Sequence, residues 1–274
     1  MFRFSGKRAR PKMEKEMIHS TAVIHPGAKI ADGVEIGPYV VIGENVSIGK
    51  GTKIGPHTVI DGWTEIGEDN NIFHMASVGA VPQDLKYKGE KTWLKIGNGN
   101  TIREFASLHL GTVTGDGETT VGDGNLFMAY SHVAHDCHIG NHVIMANSAT
   151  LAGHVTVEDY AIMGGLSAVL QFTRIGAHVM VGGMTSITLD VPPYTIVTGD
   201  RSESRLRGLN LVGLKRRGFP EQTISSLKKA YKILSLSGMK LTEAVEKMKS
   251  DIPTSPELEH FISFIESAKR GVTR

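Results

Sequence analysis

Histidines crowd one stretch of the chain: His132, His135, His138, His142 and His154. An imidazole can take up a proton, give one back or ligate a metal near neutral pH. Three readings are open. His135 could be a general base that draws the proton from an attacking hydroxyl. The cluster could instead bind zinc, which needs several ligands converging at about 2.1 Å from one ion. Or the histidines are a surface set with no chemistry. Asp136 follows His135 directly. Neighbours on a flat strand point to opposite faces, so this carboxylate can orient the imidazole only if the chain bends between them.

The element that positions these side chains has a period of six. Apolar residues recur at Ile24, Ile30, Ile36 and onward to Val78, then at Val121, Phe127, Val133 and onward to Ile187. A helix needs a period near 3.6 and a lone strand a period of 2. A sustained period of six is the mark of a solenoid of stacked hexapeptides. If three hexapeptides close one turn, residues 18 apart stack about 4.8 Å from each other, as neighbouring strands do.

His135, Gly153 and Gln171 then form one column, with His154 beneath Asp136. A histidine beside the open N–H of a glycine suits acyl transfer, because the N–H can hold the oxyanion that forms at the thioester carbon. The column offers one histidine per chain, so a zinc site would have to be shared between chains. Gly165 and Gly183 form a second column, as do Gly164 and Gly182. These are either tight corners or a slot for a long hydrocarbon chain, lined by the adaptable Met163 and Met184. The chain has 32 glycines, well above the average of about 7%. Many directly follow the periodic residue, as in Ile36-Gly37, where a corner would need their backbone freedom.

Two interruptions break the repeat. One lies between Val78 and Ile96 around Gln83-Asp84-Leu85-Lys86, with the six-residue phase kept. The other lies between Leu108 and Val121 around Thr112-Val113-Thr114-Gly115-Asp116-Gly117. Loops extruded from a rigid scaffold are placed to touch substrate. The repeat ends near Asp190-Val191-Pro192-Pro193. Helical spacing follows from Pro220 (Ile224, Leu227, Tyr231, Leu234), from Leu241 (Val245, Met248), and from the Ser255-Pro256 start signal. The expected organisation is a basic leader outside the native fold at 1–16, a solenoid at 17–198 and a helical domain at 199–274. The helical domain would cover the open β-edge of the last coil.

Composition narrows the setting. Cys137 is the only cysteine, which excludes a disulfide framework within the chain and fits a reducing cytosol. No apolar run approaches the roughly 18 residues of a membrane span. The net charge of +2 comes from the leader, whose six cations against two acids give +4 and leave −2 for the rest. A nucleic-acid partner is therefore not expected. Arg201, Arg205, Arg207, Lys215, Arg216, Arg217, Lys228 and Lys229 gather past the repeat, which fits a diphosphate ligand or an acidic carrier protein.

Together with the repeat, several motifs carry a resemblance. They are Gln83-Asp84-Leu85-Lys86, Ile102-Arg103-Glu104, His132-Val133-Ala134-His135-Asp136-Cys137, Leu151-Ala152-Gly153-His154-Val155, Asp190-Val191-Pro192-Pro193-Tyr194 and Gly213-Leu214-Lys215-Arg216-Arg217-Gly218-Phe219. From about residue 17 to its end the chain resembles the UDP-N-acetylglucosamine 3-O-acyltransferases of lipid A synthesis. The resemblance implies a mainly β protein with some α: a left-handed parallel β-helix followed by a small C-terminal helical domain. It implies a cytoplasmic homotrimer with sites between subunits, and transfer of a 3-hydroxyacyl group from acyl carrier protein to the sugar 3-position. No metal or resident cofactor is implied; the acyl group arrives on the phosphopantetheine of the carrier.

The resemblance makes His135 the general base, Asp136 its supporting carboxylate and Gly153 the oxyanion donor. Gln83, Asp84, Lys86, His109, His132, His154 and Gln171 match positions around the sugar nucleotide. Asn210, Arg216 and Arg217 match its nucleotide-contacting set, and Gly183 its acyl-length position. Three departures stand out: Leu170 where many members have histidine, Asp200 for a common asparagine in a longer 199–205 segment, and Val212 for an acidic residue. Loss of an imidazole at 170 makes the 3-amino analogue of the sugar the alternative acceptor. Outside this family, a zinc-dependent solenoid hydrase of carbonic anhydrase type and a non-catalytic scaffold are the other readings.

Overall fold

The computed structural model describes residues 17–199 and 204–274. The leader 1–16, Asp200 and Arg201 lie outside the described residues. The chain winds as a left-handed parallel β-helix with three faces. Face 1 has nine strands, from Val23–Ile24 to Ser186–Ile187; face 2 has eight, from Lys29–Ile30 to Arg174–Ile175. Face 3 has ten, starting at Glu35–Ile36. Most strands are two residues long, because each hexapeptide spends the rest of its length turning the corner. The second residue of most strands is the periodic apolar one, and these fill the interior. Ile42, Ile60, Phe127, Met145, Leu151 and Met163 are all within 1% of fully buried.

The corners are not made by the glycines that follow the periodic residues. Left-handed backbone falls instead on Tyr39, His57, Asp136, His154, Tyr160 and His178, among others, with φ near +60°. Such a conformation is uncommon for a residue with a Cβ. Here most corner N–H groups are tied to the coil before, as in His154 to the His135 carbonyl at 3.0 Å and Tyr160 to Asn141 at 2.8 Å. The glycines answer a different need. A Cβ on Gly49 would stand 2.5 Å from the Gly67 carbonyl carbon of the next coil. They permit close stacking of coils, not the bend.

The 18-residue spacing holds within each uninterrupted stretch: Thr150–Leu151 pairs with His132–Val133 on one side and with Ala168–Val169 on the other. It fails across the loops. Ile66 pairs with Ile96 and Val78 with Leu108, so the first loop adds two hexapeptide lengths and keeps the phase while changing the face. Leu108 pairs with Val133, so the second loop adds seven residues and shifts the phase by one.

Beyond the last coil, Thr195–Thr198 pairs antiparallel with Arg205–Leu209. This hairpin crosses residue 198, where the solenoid was expected to end. A short helix, α1 (Leu211–Arg216), follows, capped by the Asn210 side chain accepting from the Gly213 N–H. The sequence reading anticipated neither element. It did anticipate α2 (Glu221–Leu236), α3 (Leu241–Asp251) and α4 (Pro256–Glu266), the last with Ser255 accepting from the Leu258 N–H. Arg174 at the end of face 2 docks α4. Its guanidinium donates to Asp190, to Ser267 Oγ and to the Phe264 carbonyl at 2.8–2.9 Å.

Candidate active site

His135 and Asp136 occupy the corner between faces 1 and 2. The left-handed backbone at Asp136 (φ +57°) turns its side chain back toward the preceding residue. His135 Nδ1 therefore lies 2.8 Å from Asp136 Oδ2, the contact that a flat strand forbids. An ionised carboxylate only accepts, so Nδ1 carries the hydrogen and Nε2 keeps its lone pair. Asp136 is 2% exposed, and a buried carboxylate needs several donors. Thr112 supplies two: its N–H to Oδ1 at 2.8 Å and its hydroxyl to Oδ2 at 2.6 Å. The Asp136 N–H in turn donates to Thr119 Oγ1 at 2.8 Å.

Gly153 lies under the imidazole, as the column predicts. A Cβ there would stand 2.5 Å from His135 Cε1 and 2.7 Å from Nε2. Neither the Gly153 N–H nor His135 Nε2 has a hydrogen-bond partner among the described residues. His154 packs edge-on against His135, ring centres 5.0 Å apart, and stacks on Phe172 at 4.4 Å. Its Nδ1 is 3.8 Å from Asp136 Oδ2.

His135, Asp136 and His154 are the one group of potential metal ligands that comes together among the described residues. The sequence column offered a single histidine; the corner brings a second imidazole near the same carboxylate. Ligands around a tetrahedral zinc at about 2.1 Å stand roughly 3.4 Å apart. The 2.8 Å separation of His135 Nδ1 and Asp136 Oδ2 is that of a hydrogen-bonded pair.

A groove of about 490 Å³ runs from this corner along face 1, with Gln83, His132, His135, Gly153, Ala168 and Leu170 in its wall. A larger cavity of about 690 Å³ lies on face 3 around Ile36, Ile54, Ile72 and Phe73. The face 1 groove is the one that holds His135 of the His135–Asp136 pair, so chemistry and not size picks it out. His132 accepts or donates at Nδ1 with Ser107 Oγ, 2.8 Å away. His109 is 4% exposed, packs edge-on against His132, and has no partner for its Nδ1 among the described residues. Burial, then the neighbouring His132 and His135, lowers the His109 pKa to about 4. Burial likewise lowers His132 and, against the pull of Asp136, His154. These rings stay neutral near pH 7.

Gln83, Asp84 and Lys86 sit on the first loop, where Asp84 Oδ1 accepts from the Lys86 N–H at 3.0 Å. Gln171 is exposed below Gly153, and its carbonyl accepts from Arg270 at 2.9 Å. Other expected site residues lie elsewhere on the chain. Gly165 and Gly183 are at the corner between faces 3 and 1, and a Cβ on Gly183 would meet nothing closer than the Gly165 carbonyl at 3.4 Å. Asn210 and Arg217 are at the corner between faces 2 and 3, and Arg216 ends α1. Asn210 caps α1 and donates to the His178 carbonyl at 3.0 Å. The Arg217 guanidinium lies 3.9 Å over the Tyr160 ring. Val212 is exposed on α1. Thr112 and Thr119 were missed as site residues; their types gave no signal, and only their position at the two ends of the second loop could have raised it.

The His178 corner yields a pH prediction. Its ring stacks between Tyr160 at 4.9 Å and Tyr194 at 5.8 Å. Burial first, then Arg217, lowers its pKa from 6.5 to about 4. Above pH 6.5 the ring is neutral both folded and unfolded. Between 6.5 and 4 only the unfolded chain takes up the proton, so stability falls as pH falls. His178→Phe keeps the stack and removes the proton site. It should lose less melting temperature than wild type between pH 7 and pH 4; parallel curves would contradict this.

Comparison with known proteins agrees with the fold. A family described as "Udp N-acetylglucosamine O-acyltransferase; Domain 2" matches residues 190–273, and the bacterial transferase hexapeptide family matches 17–49 and 118–153. An acyl-[acyl-carrier-protein]–UDP-N-acetylglucosamine O-acyltransferase of Thermodesulfovibrio yellowstonii is 56% identical over 215 residues, 78% of this chain and 83% of that protein. The LpxA structure of Acinetobacter baumannii is 46% identical with a TM-score of 0.91, over 94% of this chain and all of that one. A UDP-N-acetylglucosamine acyltransferase from Bacteroides fragilis is 41% identical with the same TM-score and coverage. The chain belongs to the acyl-[acyl-carrier-protein]–UDP-N-acetylglucosamine O-acyltransferase family and is an acyltransferase.

Proposed function

We propose that this protein transfers a 3-hydroxyacyl group from acyl carrier protein to the 3-hydroxyl of UDP-N-acetylglucosamine, in lipid A biosynthesis, with His135 as general base. One observation carries the reading: His135 Nε2 is unpartnered above the unpartnered Gly153 N–H, while Nδ1 is anchored on Asp136. The sugar oxygen gives its proton to Nε2 as it bonds to the thioester carbon. The negative charge that moves onto the carbonyl oxygen is met by the Gly153 N–H. The carbon–sulfur bond then breaks, and the imidazolium returns the proton to the leaving thiolate. Asp136 holds the tautomer and stabilises the imidazolium without taking its proton.

Gln83, Asp84, Lys86, His109, His132, His154 and Gln171 bind the sugar nucleotide from the His135 side. Asn210, Arg216 and Arg217 lie at a different corner, so they reach the nucleotide from a neighbouring copy in a cytoplasmic homotrimer. Gly183, and Gly165 above it, face the acyl chain across the same junction and set its length. A second reading, amide formation on the 3-amino sugar, draws support from Leu170, which presents an apolar wall in the groove. An amine is the stronger nucleophile and depends less on polar help.

The test is turnover of purified enzyme with a 3-hydroxyacyl carrier donor and each acceptor, the product read by mass. The expected result is the O-acyl ester as the preferred product. A higher kcat/KM for the amine replaces the first reading with the second, and transfer to neither removes both.

A further inference from the structure

We infer that Thr112, delivered by the second loop, is a positioning residue that aims Asp136 at His135 and away from His154. The inference rests on the reading of His135 as the base. The loop is additional chain: seven residues more than a coil needs separate Leu108 from its stacking partner Val133. The tip of the loop, Val113, Thr114 and Asp116, is exposed, but its ends, Thr112 and Thr119, are buried. Those ends close on Asp136. Thr112 is 2% exposed, and its two donors take different oxygens of the carboxylate, which fixes the plane as well as the place of that group. Thr119, at the far end of the loop, receives the Asp136 N–H. Gly115 lies so close that a Cβ would collide with the carboxylate. The loop brackets one residue from three sides.

Hydrogen-bond direction follows from chemistry. The carboxylate accepts only, so the Thr112 proton points to Oδ2. The Thr112 oxygen is then free to accept from the Thr114 hydroxyl, 3.0 Å away. The sequence Thr114 to Thr112 to Asp136 converges with the donation from His135 Nδ1 on the same carboxylate.

Such aim matters because Asp136 has two imidazoles within reach. His135 Nδ1 is at 2.8 Å and His154 Nδ1 at 3.8 Å from the same Oδ2. A shift of about 1 Å would exchange one for the other, and effects of that size in placement are felt strongly in catalysis. With the carboxylate on His154, His135 would be free to carry its proton on Nε2, where it cannot act as base. Without the Thr112 hydroxyl, His135 is the one remaining hydrogen-bond donor to Oδ2 among the described residues.

The experiment compares Thr112→Val, which keeps the shape and loses the hydroxyl, with Thr112→Ser, which keeps the hydroxyl, alongside His135→Ala. Thr112→Val should lower kcat about 10- to 100-fold, the weight of one hydrogen bond to a charged group, with KM for both substrates within about twofold. Thr112→Ser should recover most of the rate. In wild type, proton NMR should show a downfield His135 Nδ1–H resonance, assigned by its absence in His135→Ala. That resonance should weaken in Thr112→Val and return in Thr112→Ser. If the valine chain does not fold, Thr112→Ala serves the same comparison. Valine kinetics like wild type beside an inactive His135→Ala overturn the inference and leave the base in place. Equal losses in valine and serine also overturn it, as a merely structural role. An active His135→Ala overturns the base reading itself.

Discussion

Gly153→Ala is expected to lower kcat about 100- to 1000-fold, the usual cost of losing an oxyanion donor, while the fold survives. The added Cβ would stand 2.5 Å from His135 Cε1, 2.7 Å from Nε2 and 3.0 Å from Nδ1. The ring cannot slide aside and stay in use. Its Nδ1 is tied to Asp136, that carboxylate is held by Thr112, and the His154 ring closes one side at 5.0 Å. Either the imidazole leaves Asp136 or the corner opens and takes the N–H with it. The glycine is required for close approach and not for its backbone angles, since it is not among the left-handed residues of the chain. Steady-state kinetics of Gly153→Ala, with a melting curve beside them, check this. Activity within about fivefold of wild type would show that the ring has room the structure denies it.

The solenoid was legible because burial of one residue in six is a backbone-scale signal, repeated more than twenty times along the chain. The His135–Gly153 stack was legible for the same reason, as both lie after the second loop, where the 18-residue spacing is unbroken. The His135–Asp136 contact followed from the resemblance and not from the repeat. It depends on a positive φ at Asp136, and the sequence marks these corners with no common residue type: tyrosine, histidine, aspartate, phenylalanine, leucine and methionine all serve. The corner conformation is imposed by coil stacking, and local propensity does not encode it. The Thr112 contact was hidden because it forms between coils, across an insertion that moves the register. The Arg205–Leu209 strand and α1 were missed because each is short, and their order comes from the last coil they cover. Asn210 and Arg217 lie apart from His135 within one chain, at the corner between faces 2 and 3.

In the proposed mechanism one imidazole does the proton transfer. In His135→Ala the Asp136 carboxylate keeps both Thr112 donors, so the corner should hold and the melting temperature should change little. The 3-hydroxyl of the sugar would then meet the thioester with no base, while the Gly153 N–H still offers its charge. General base catalysis of this kind contributes about 100- to 10,000-fold, and the remaining rate would reflect binding and the oxyanion donor alone. The His154 ring should stay stacked face to face on Phe172, now 4.4 Å away. The direct measurement is the single-turnover rate of acyl transfer from the carrier thioester to UDP-N-acetylglucosamine, wild type against His135→Ala, at saturating substrates. The expected rate is at least about 100-fold lower in a chain that melts like wild type; a rate within about threefold of wild type would remove His135 as the base.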